Sequence, residues 1–138
     1  MTDFPITIYH NPDCGTSRNA LAMIEAAGYR PHVVEYLKAG WTRDLLDRLL
    51  AAMAARPRDM VREKGSPAAE LGLLDPAVSD DAILAAMIEH PILVNRPIVV
   101  TPRGTALCRP SEEVLKLLDR LPAGFAKEDG EVVAVPGR

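Results

Sequence analysis

Cys14 is the residue with the strongest chemical signal, and it stands in the run HNPDCGTSR at residues 10–18. A β-branched segment precedes this loop and a helical pattern follows it, so the thiol lies where a strand ends and a helix begins. The positive end of a helix dipole stabilises a thiolate, and His10 and Arg18 stand nearby. We therefore expect an exposed, nucleophilic thiol with a lowered pKa. The polar neighbours argue against the alternative, a small buried apolar side chain.

The spacing around Cys14 restricts the thiol chemistry. Ser17 occupies the position of the second thiol in a Cys-x-x-Cys motif, and Ala20 occupies that of the arginine in a Cys-x5-Arg loop. An intermediate on Cys14 must therefore be resolved by another molecule's thiol or by Cys108, the second of the two cysteines. Cys108 ends a predicted strand on the same face as Ala106, so we expect it to pack in the core.

Three arginines are candidates for binding an anion. Arg96 opens one predicted strand, Arg109 follows another, and Arg62 lies in a helical segment. Planar guanidinium groups that converge on one point suit a tetrahedral oxyanion. The bond between Arg96 and Pro97 is also of the kind that is often cis beside a thiol site. Taken singly, each arginine is better interpreted as a solvated surface charge.

The predicted elements begin with a strand–helix–strand unit. A strand over 6–9 leads into a helix capped by Thr16 or Ser17 and stopped at Gly28, and a second strand covers 33–36.

Helices and then a hairpin follow. Thr42 and Ser79 are predicted N-caps, and Pro57 suits the first turn of a short helix between them. Strands over 97–101 and 105–108 precede a last helix with Ser111 as its cap. We predict one α/β domain over 1–122 with a helical insert at about 42–90, followed by a loosely held tail over 123–138.

Composition limits the function classes. The chain has 138 residues, of which 48% are hydrophobic and 25% are charged, with a net charge of −3. This balance favours neither nucleic acid nor an anionic membrane. No apolar stretch is long enough for a membrane span and no signal peptide is evident, so we expect a cytoplasmic protein. The histidines and cysteines lack the spacing of a metal site.

Three segments together resemble the glutaredoxin-coupled arsenate reductases, a family with a thioredoxin-like fold. They are HNPDCGTSRN at 10–19, HPILVNRPIVVT at 90–101 and LCRPSE at 107–112. The likeness extends over about residues 7–118, and the first segment is the most specific.

The resemblance implies a fold, a reaction and a set of site residues. The fold is thioredoxin-like (βαβ, helical insertion, ββα) with a mixed central sheet. Cys14 would attack arsenate, with His10 and Ser17 helping to activate its thiolate. Three arginines would hold the oxyanion: Arg62, Arg96 and Arg109. Glutathione would be a co-substrate and a glutaredoxin the protein partner, with no tightly bound cofactor.

Two alternatives have different discriminating features. A redox-sensing regulator of the same fold that binds RNA polymerase would usually carry Cys-x-x-Cys or lack the arginines. A monothiol glutathione-dependent oxidoreductase acting on mixed disulfides would not need Arg62 or Arg109.

Overall fold

The computed structural model describes residues 4–135, which divide into two compact units. The first unit contains the described residues up to Glu35 and those from Arg96 onward, and the second is Tyr36–Asn95. The second unit is thus longer than the insert expected at about 42–90. The chain leaves the first unit directly after its second strand, which ends at Glu35 and not at Tyr36.

A four-stranded sheet forms the centre of the first unit. Its strands are β1 (Thr7–His10), β2 (His32–Glu35), β3 (Ile98–Thr101) and β4 (Gly104–Leu107). The order across the sheet is β2-β1-β3-β4, with β1 and β2 parallel and the remaining pairs antiparallel. The mixed α/β sheet expected of a thioredoxin-like fold is therefore confirmed.

Helix α1 (Gly15–Ala26) packs against the 3₁₀ helix Ser111–Leu117. Its inner face carries Ala20, Met23 and Ile24, which recur at helical spacing and are fully buried. These side chains join residues of β1 and β3 in one apolar core. The core fixes the direction of α1 and thereby the position of its N-terminus.

The first turn of α1 begins earlier than Thr16 or Ser17, the predicted caps. Cys14 is the N-cap, with extended backbone angles, and its carbonyl accepts from the amide of Arg18 at 2.9 Å. The preceding turn ends at this residue because the Cys14 amide donates to the Asn11 carbonyl at 3.0 Å. The stop at Gly28 is confirmed, since that residue has φ +94°.

The C-terminal part of the first unit differs from its prediction in two ways. Ser111 opens a 3₁₀ helix and not an α-helix, and no side chain caps that helix. The tail is not loosely held over 125–133, where β5 (Phe125–Ala126) pairs with β6 (Val132–Val133). The pair is anchored because Val133 is buried in the main core. Short strands of this kind lack the length that makes a sequence pattern visible.

The second unit is helical. It contains α2 (Tyr36–Ala39), α3 (Arg43–Met53), the 3₁₀ helix Pro57–Met60, α4 (Asp80–Glu89) and the 3₁₀ helix Pro91–Leu93. The predicted caps Thr42 and Ser79 are confirmed, because each hydroxyl accepts from the third amide along the chain at 3.1 Å. Helix α4 packs against α3 and both 3₁₀ helices. Within residues 4–135, no helix is long and apolar enough to cross a membrane.

Candidate active site

The loop between β1 and α1 holds Cys14 at the first turn of the helix. Asn11 organises this loop, since its side-chain oxygen accepts from the Asp13 amide at 2.9 Å and its carbonyl accepts from the Cys14 amide. Asn11 itself is 3% exposed, so its side chain is held inside the protein while it closes this turn. The arrangement presents the sulfur to the amides at the N-terminus of α1, where negative charge is stabilised.

His10 and Ser17 form a buried network below the loop. Ser17 Oγ accepts from the Asn11 amide at 3.1 Å and lies 2.6 Å from His10 Nδ1. Burial lowers the pKa of His10, against an opposing influence of Glu35, and so favours the neutral ring. A hydroxyl can donate or accept, so this contact is a hydrogen bond in either neutral tautomer of the ring. The two side chains therefore support the loop, and the Ser17 hydroxyl is committed to His10.

The pKa of the Cys14 thiol is lowered from its ordinary value. Burial raises this pKa and is the largest single influence, but several favourable contacts together outweigh it. The Ser17 backbone amide and the guanidinium groups of Arg96 and Arg109 lower the pKa, and Arg109 Nη1 lies 3.7 Å from the sulfur. The lowered pKa predicted for Cys14 therefore comes from the Ser17 amide and the two guanidinium groups, which stabilise the thiolate.

The expected exposure of Cys14 is wrong. The residue is only 8% exposed, yet it is outside the apolar core cluster. Two arginines from another part of the first unit, Arg96 and Arg109, act on its thiol, which the polar composition of residues 10–18 alone does not indicate. The thiol is consequently buried among cations, a setting that favours the thiolate.

Arg109 and Arg96 meet at this sulfur. Arg109 Nη1 lies 3.7 Å from Cys14 Sγ and donates to the Arg96 carbonyl at 3.0 Å. Both arginines precede cis prolines, Pro97 and Pro110. The half-buried Arg109 and the 9% exposed Arg96 place two guanidinium groups at one thiol, as an oxyanion subsite requires.

Arg62 belongs to the second unit. It follows Val61, which forms an isolated antiparallel bridge with Val94, and its amide donates to the Leu93 carbonyl at 2.6 Å. Its side-chain Nε donates to the Lys64 carbonyl at 3.1 Å. The role of Arg62 in binding an oxyanion stays a prediction from the resemblance.

Cys108 packs in the core. It is fully buried within the apolar cluster of the first unit, and burial raises its pKa to about 12. A thiol in this state is neither a nucleophile nor a reachable partner for an intermediate. No group of His, Cys, Asp or Glu side chains among residues 4–135 is arranged to hold a metal ion.

Sequence reasoning missed the partner of Arg18. Its guanidinium makes a two-point ion pair with Glu128, at 2.8 and 3.0 Å, and also donates to the Pro12 carbonyl at 2.7 Å. Glu128 belongs to a segment in which no periodicity is visible. A single acidic residue in such a segment carries no local signal of its partner.

The two thiols should differ in their reactivity toward iodoacetamide. Because the pKa of Cys14 is lowered, its thiolate fraction rises at lower pH than that of the same cysteine in the unfolded chain. The pH midpoint of Cys14 alkylation should therefore lie on the acid side of the midpoint measured in guanidinium chloride. Cys108 should label only after unfolding. Peptide mass spectrometry on the folded and unfolded protein separates the two sites, and equal midpoints at Cys14 would contradict the assigned environment.

Comparison with known proteins places these features in a family. Residues 9–117 match the model of the ArsC family. Arsenate reductase ArsI1 of Synechocystis sp. is 63% identical over 134 residues, covering 96% of this chain and 93% of the relative. The arsenate reductase of Escherichia coli K12 is 53% identical over 129 residues, covering 93% of this chain and 92% of the relative.

A solved structure shows the same fold. The arsenate reductase from Vibrio cholerae superimposes with a TM-score of 0.80 at 42% sequence identity. The alignment covers 85% of this chain and 100% of that structure. The family match includes Cys14, Arg96 and Arg109, so the described thiol site lies within the shared region. With most of its length matched in sequence and in fold, the chain belongs to the ArsC family.

Proposed function

We propose that this chain is an arsenate reductase in which Cys14 forms a covalent bond to arsenic and external thiols supply the electrons. The observation that carries the proposal is the lowered-pKa thiol of Cys14, with Arg109 Nη1 at 3.7 Å from its sulfur. A nucleophile beside fixed cations is suited to an anionic substrate that must be attacked at its central atom. Relatives at 53–64% identity bear the name arsenate reductase.

The first step is attack on the oxyanion. Cys14 thiolate donates an electron pair to arsenic(V), a sulfur–arsenic bond forms, and one arsenate oxygen leaves as hydroxide or, once protonated, as water. Arg96 and Arg109 would bind the remaining oxygens and offset the charge that accumulates on them. The resemblance adds Arg62 to this set, and a substitution of Arg62 that leaves the KM for arsenate unchanged would remove it.

The later steps need two external thiols. Glutathione replaces a second oxygen on the arsenic, releasing water, and a glutaredoxin thiolate then attacks the glutathione sulfur. The glutathione–arsenic bond breaks, its electron pair reduces arsenic(V) to arsenic(III), and a glutaredoxin–glutathione disulfide forms. Water then releases arsenite from Cys14. A second glutathione restores the glutaredoxin, so one arsenate and two glutathiones yield arsenite, glutathione disulfide and water.

The requirement for external thiols follows from the two cysteines of the chain. Ser17 stands where a resolving thiol would stand in a Cys-x-x-Cys motif, and its hydroxyl is bonded to His10. Cys108 is buried with its pKa raised to about 12. Neither group supports release of an intermediate by an internal disulfide. A cytoplasmic location belongs to the same proposal, because a reducing compartment keeps Cys14 as a thiol.

A coupled assay tests the proposal. NADPH oxidation is followed with arsenate, glutathione, glutathione reductase and glutaredoxin, and each component is omitted in turn. The expected result is arsenate-dependent turnover that needs both glutathione and glutaredoxin. Turnover with glutathione alone would contradict the glutaredoxin step. Equal turnover on a protein mixed disulfide, insensitive to Arg109→Gln, would favour a monothiol oxidoreductase instead.

A further inference from the structure

The turn between β5 and β6 contacts both segments that carry the thiol site. This C-terminal turn, residues 127–131, is closed by a bond from the Lys127 amide to the Glu131 carbonyl at 2.8 Å. Lys127 Nζ lies 2.9 Å from a carboxylate oxygen of Glu112, and the Lys127 side chain is only 12% exposed. Glu112 stands in the first turn of the 3₁₀ helix that follows Arg109. One end of the turn is thus tied to the arginine-bearing segment.

Glu128, the next residue, is tied to the nucleophile-bearing segment. Its carboxylate accepts two hydrogen bonds from Arg18, and its amide donates to the Asn19 side-chain oxygen at 3.1 Å. Arg18 in turn donates to the Pro12 carbonyl at 2.7 Å, inside the loop that carries Cys14. The Arg18 guanidinium is thus bonded to Glu128 on one side and to Pro12 on the other, which fixes its orientation, in contrast to an ordinary exposed arginine.

We infer that Lys127 and Glu128 are positioning residues that hold the Cys14 loop and the Arg109 segment in register, with Glu128 acting through Arg18. The inference rests on the proposed role of Cys14 as nucleophile. The sulfur is 3.7 Å from Arg109 Nη1, and both groups are carried by irregular chain at the ends of elements. Lys127 contacts Glu112 in the segment that follows Arg109, and the adjacent Glu128 contacts Arg18 in the segment that follows Cys14. Small shifts between reacting groups have large effects on rate. We call these two contacts of the C-terminal turn the brace, and we expect its loss to lower the rate of the reaction at Cys14.

The alternative action of Glu128 is electrostatic, and it predicts the opposite sign. The charged groups that act on Cys14 are Arg96, Arg109 and Arg18, and Asp13 is adjacent in the chain. If Glu128 only neutralised Arg18, its removal would strengthen the positive field at the sulfur and lower the pKa of Cys14. If Glu128 positions the loop, its removal loosens the hydrogen bonds to the sulfur and raises that pKa.

Glu128→Gln is the test, alone and combined with Arg18→Gln. In the otherwise unchanged protein, we expect kcat/KM for arsenate to fall about two- to fivefold. The pH midpoint of Cys14 alkylation should move to higher pH. In the Arg18→Gln background, Glu128→Gln should change neither quantity, because the residue acts through the arginine that is already absent.

Asp119→Asn is the matched control. Asp119 pairs with Arg103, and the side-chain exposures of that pair are 43% and 59%, close to the 42% and 49% of Arg18 and Glu128. The variant removes one negative charge and one exposed arginine ion pair, and it leaves the Arg18–Glu128 and Lys127–Glu112 pairs in place. Its kcat/KM and alkylation midpoint should match those of the parent protein.

Several results would overturn the inference. They are a lower or unchanged alkylation midpoint in Glu128→Gln, an equal loss in both Arg18 backgrounds, or the same loss in Asp119→Asn. Alkylation needs no arsenate, so it tests the brace even if the parent protein fails to reduce arsenate. Failure of the proposed function is therefore distinguishable from failure of this inference.

Discussion

Replacing Cys14 with serine should abolish arsenate reduction, with kcat/KM falling by more than about 10³-fold in the coupled assay. A serine hydroxyl at this position is not ionised at neutral pH, and the donors that lower the thiol pKa do not bring a hydroxyl into the same range. The fold should persist, because the side chain lies outside the apolar core cluster. Circular dichroism and a urea titration check that point on the same preparation.

Cys108→Ala is the matched control for this prediction. Truncation of a fully buried thiol leaves a small cavity and should lower the free energy of unfolding by about 1–2 kcal/mol. Activity should stay within about threefold of the parent, since a core thiol has no part in the reaction. An active Cys14→Ser variant would contradict the role of Cys14 as nucleophile. An inactive but folded Cys108→Ala variant would contradict the assignment of Cys108 to core packing alone.

Arg109→Gln should have the second-largest effect, lowering kcat/KM for arsenate by about 10²-fold, the usual loss when one oxyanion donor is removed. Two consequences combine. The substrate loses a guanidinium group, and the Cys14 sulfur loses a hydrogen-bond donor that holds its charged form. The alkylation midpoint of Cys14 should therefore move to higher pH in the absence of any substrate.

Arg109→Lys separates charge from shape. In Arg109 a single nitrogen, Nη1, contacts both the sulfur and the Arg96 carbonyl. Lysine keeps the positive charge but lacks the planar set of N–H donors that suits an oxyanion. It should recover the alkylation midpoint better than it recovers kcat/KM. Arg103→Gln, an exposed arginine in the turn between β3 and β4, is the control and should leave both quantities unchanged. An Arg109→Gln variant with unchanged kinetics toward arsenate would remove Arg109 from the site.

Much of the fold was predictable because its signals are local. The caps at Thr42 and Ser79 depend on a hydroxyl and an amide three residues apart, which the chain order alone brings together. The two hairpin strands flank a short turn for the same reason. The pattern at 10–18 likewise identifies Cys14 as a thiol at a helix N-terminus, whatever the rest of the chain does.

The sequence-based predictions were wrong where a contact with a distant residue outweighed a local preference. Ser17 has the chemistry of an N-cap, but its hydroxyl is taken by His10 and the Asn11 amide, so the cap moves to Cys14. The short strands β5 and β6 are held by burial of Val133 and not by propensity. Tertiary packing overrides weak local signals of this kind.

The sequence by itself indicated which cysteine is the candidate nucleophile, showed that its motif contains no second thiol, and named the arginines that are candidates for binding an anion. Only the tertiary structure decided that Cys14 is covered, that Arg109 lies at its sulfur across 95 residues, and that Glu128 holds Arg18 across 110. The reason is physical. The composition of a loop sets the chemistry of its side chains, whereas the pKa and accessibility of a thiol depend on groups that the folded path of the chain brings to it.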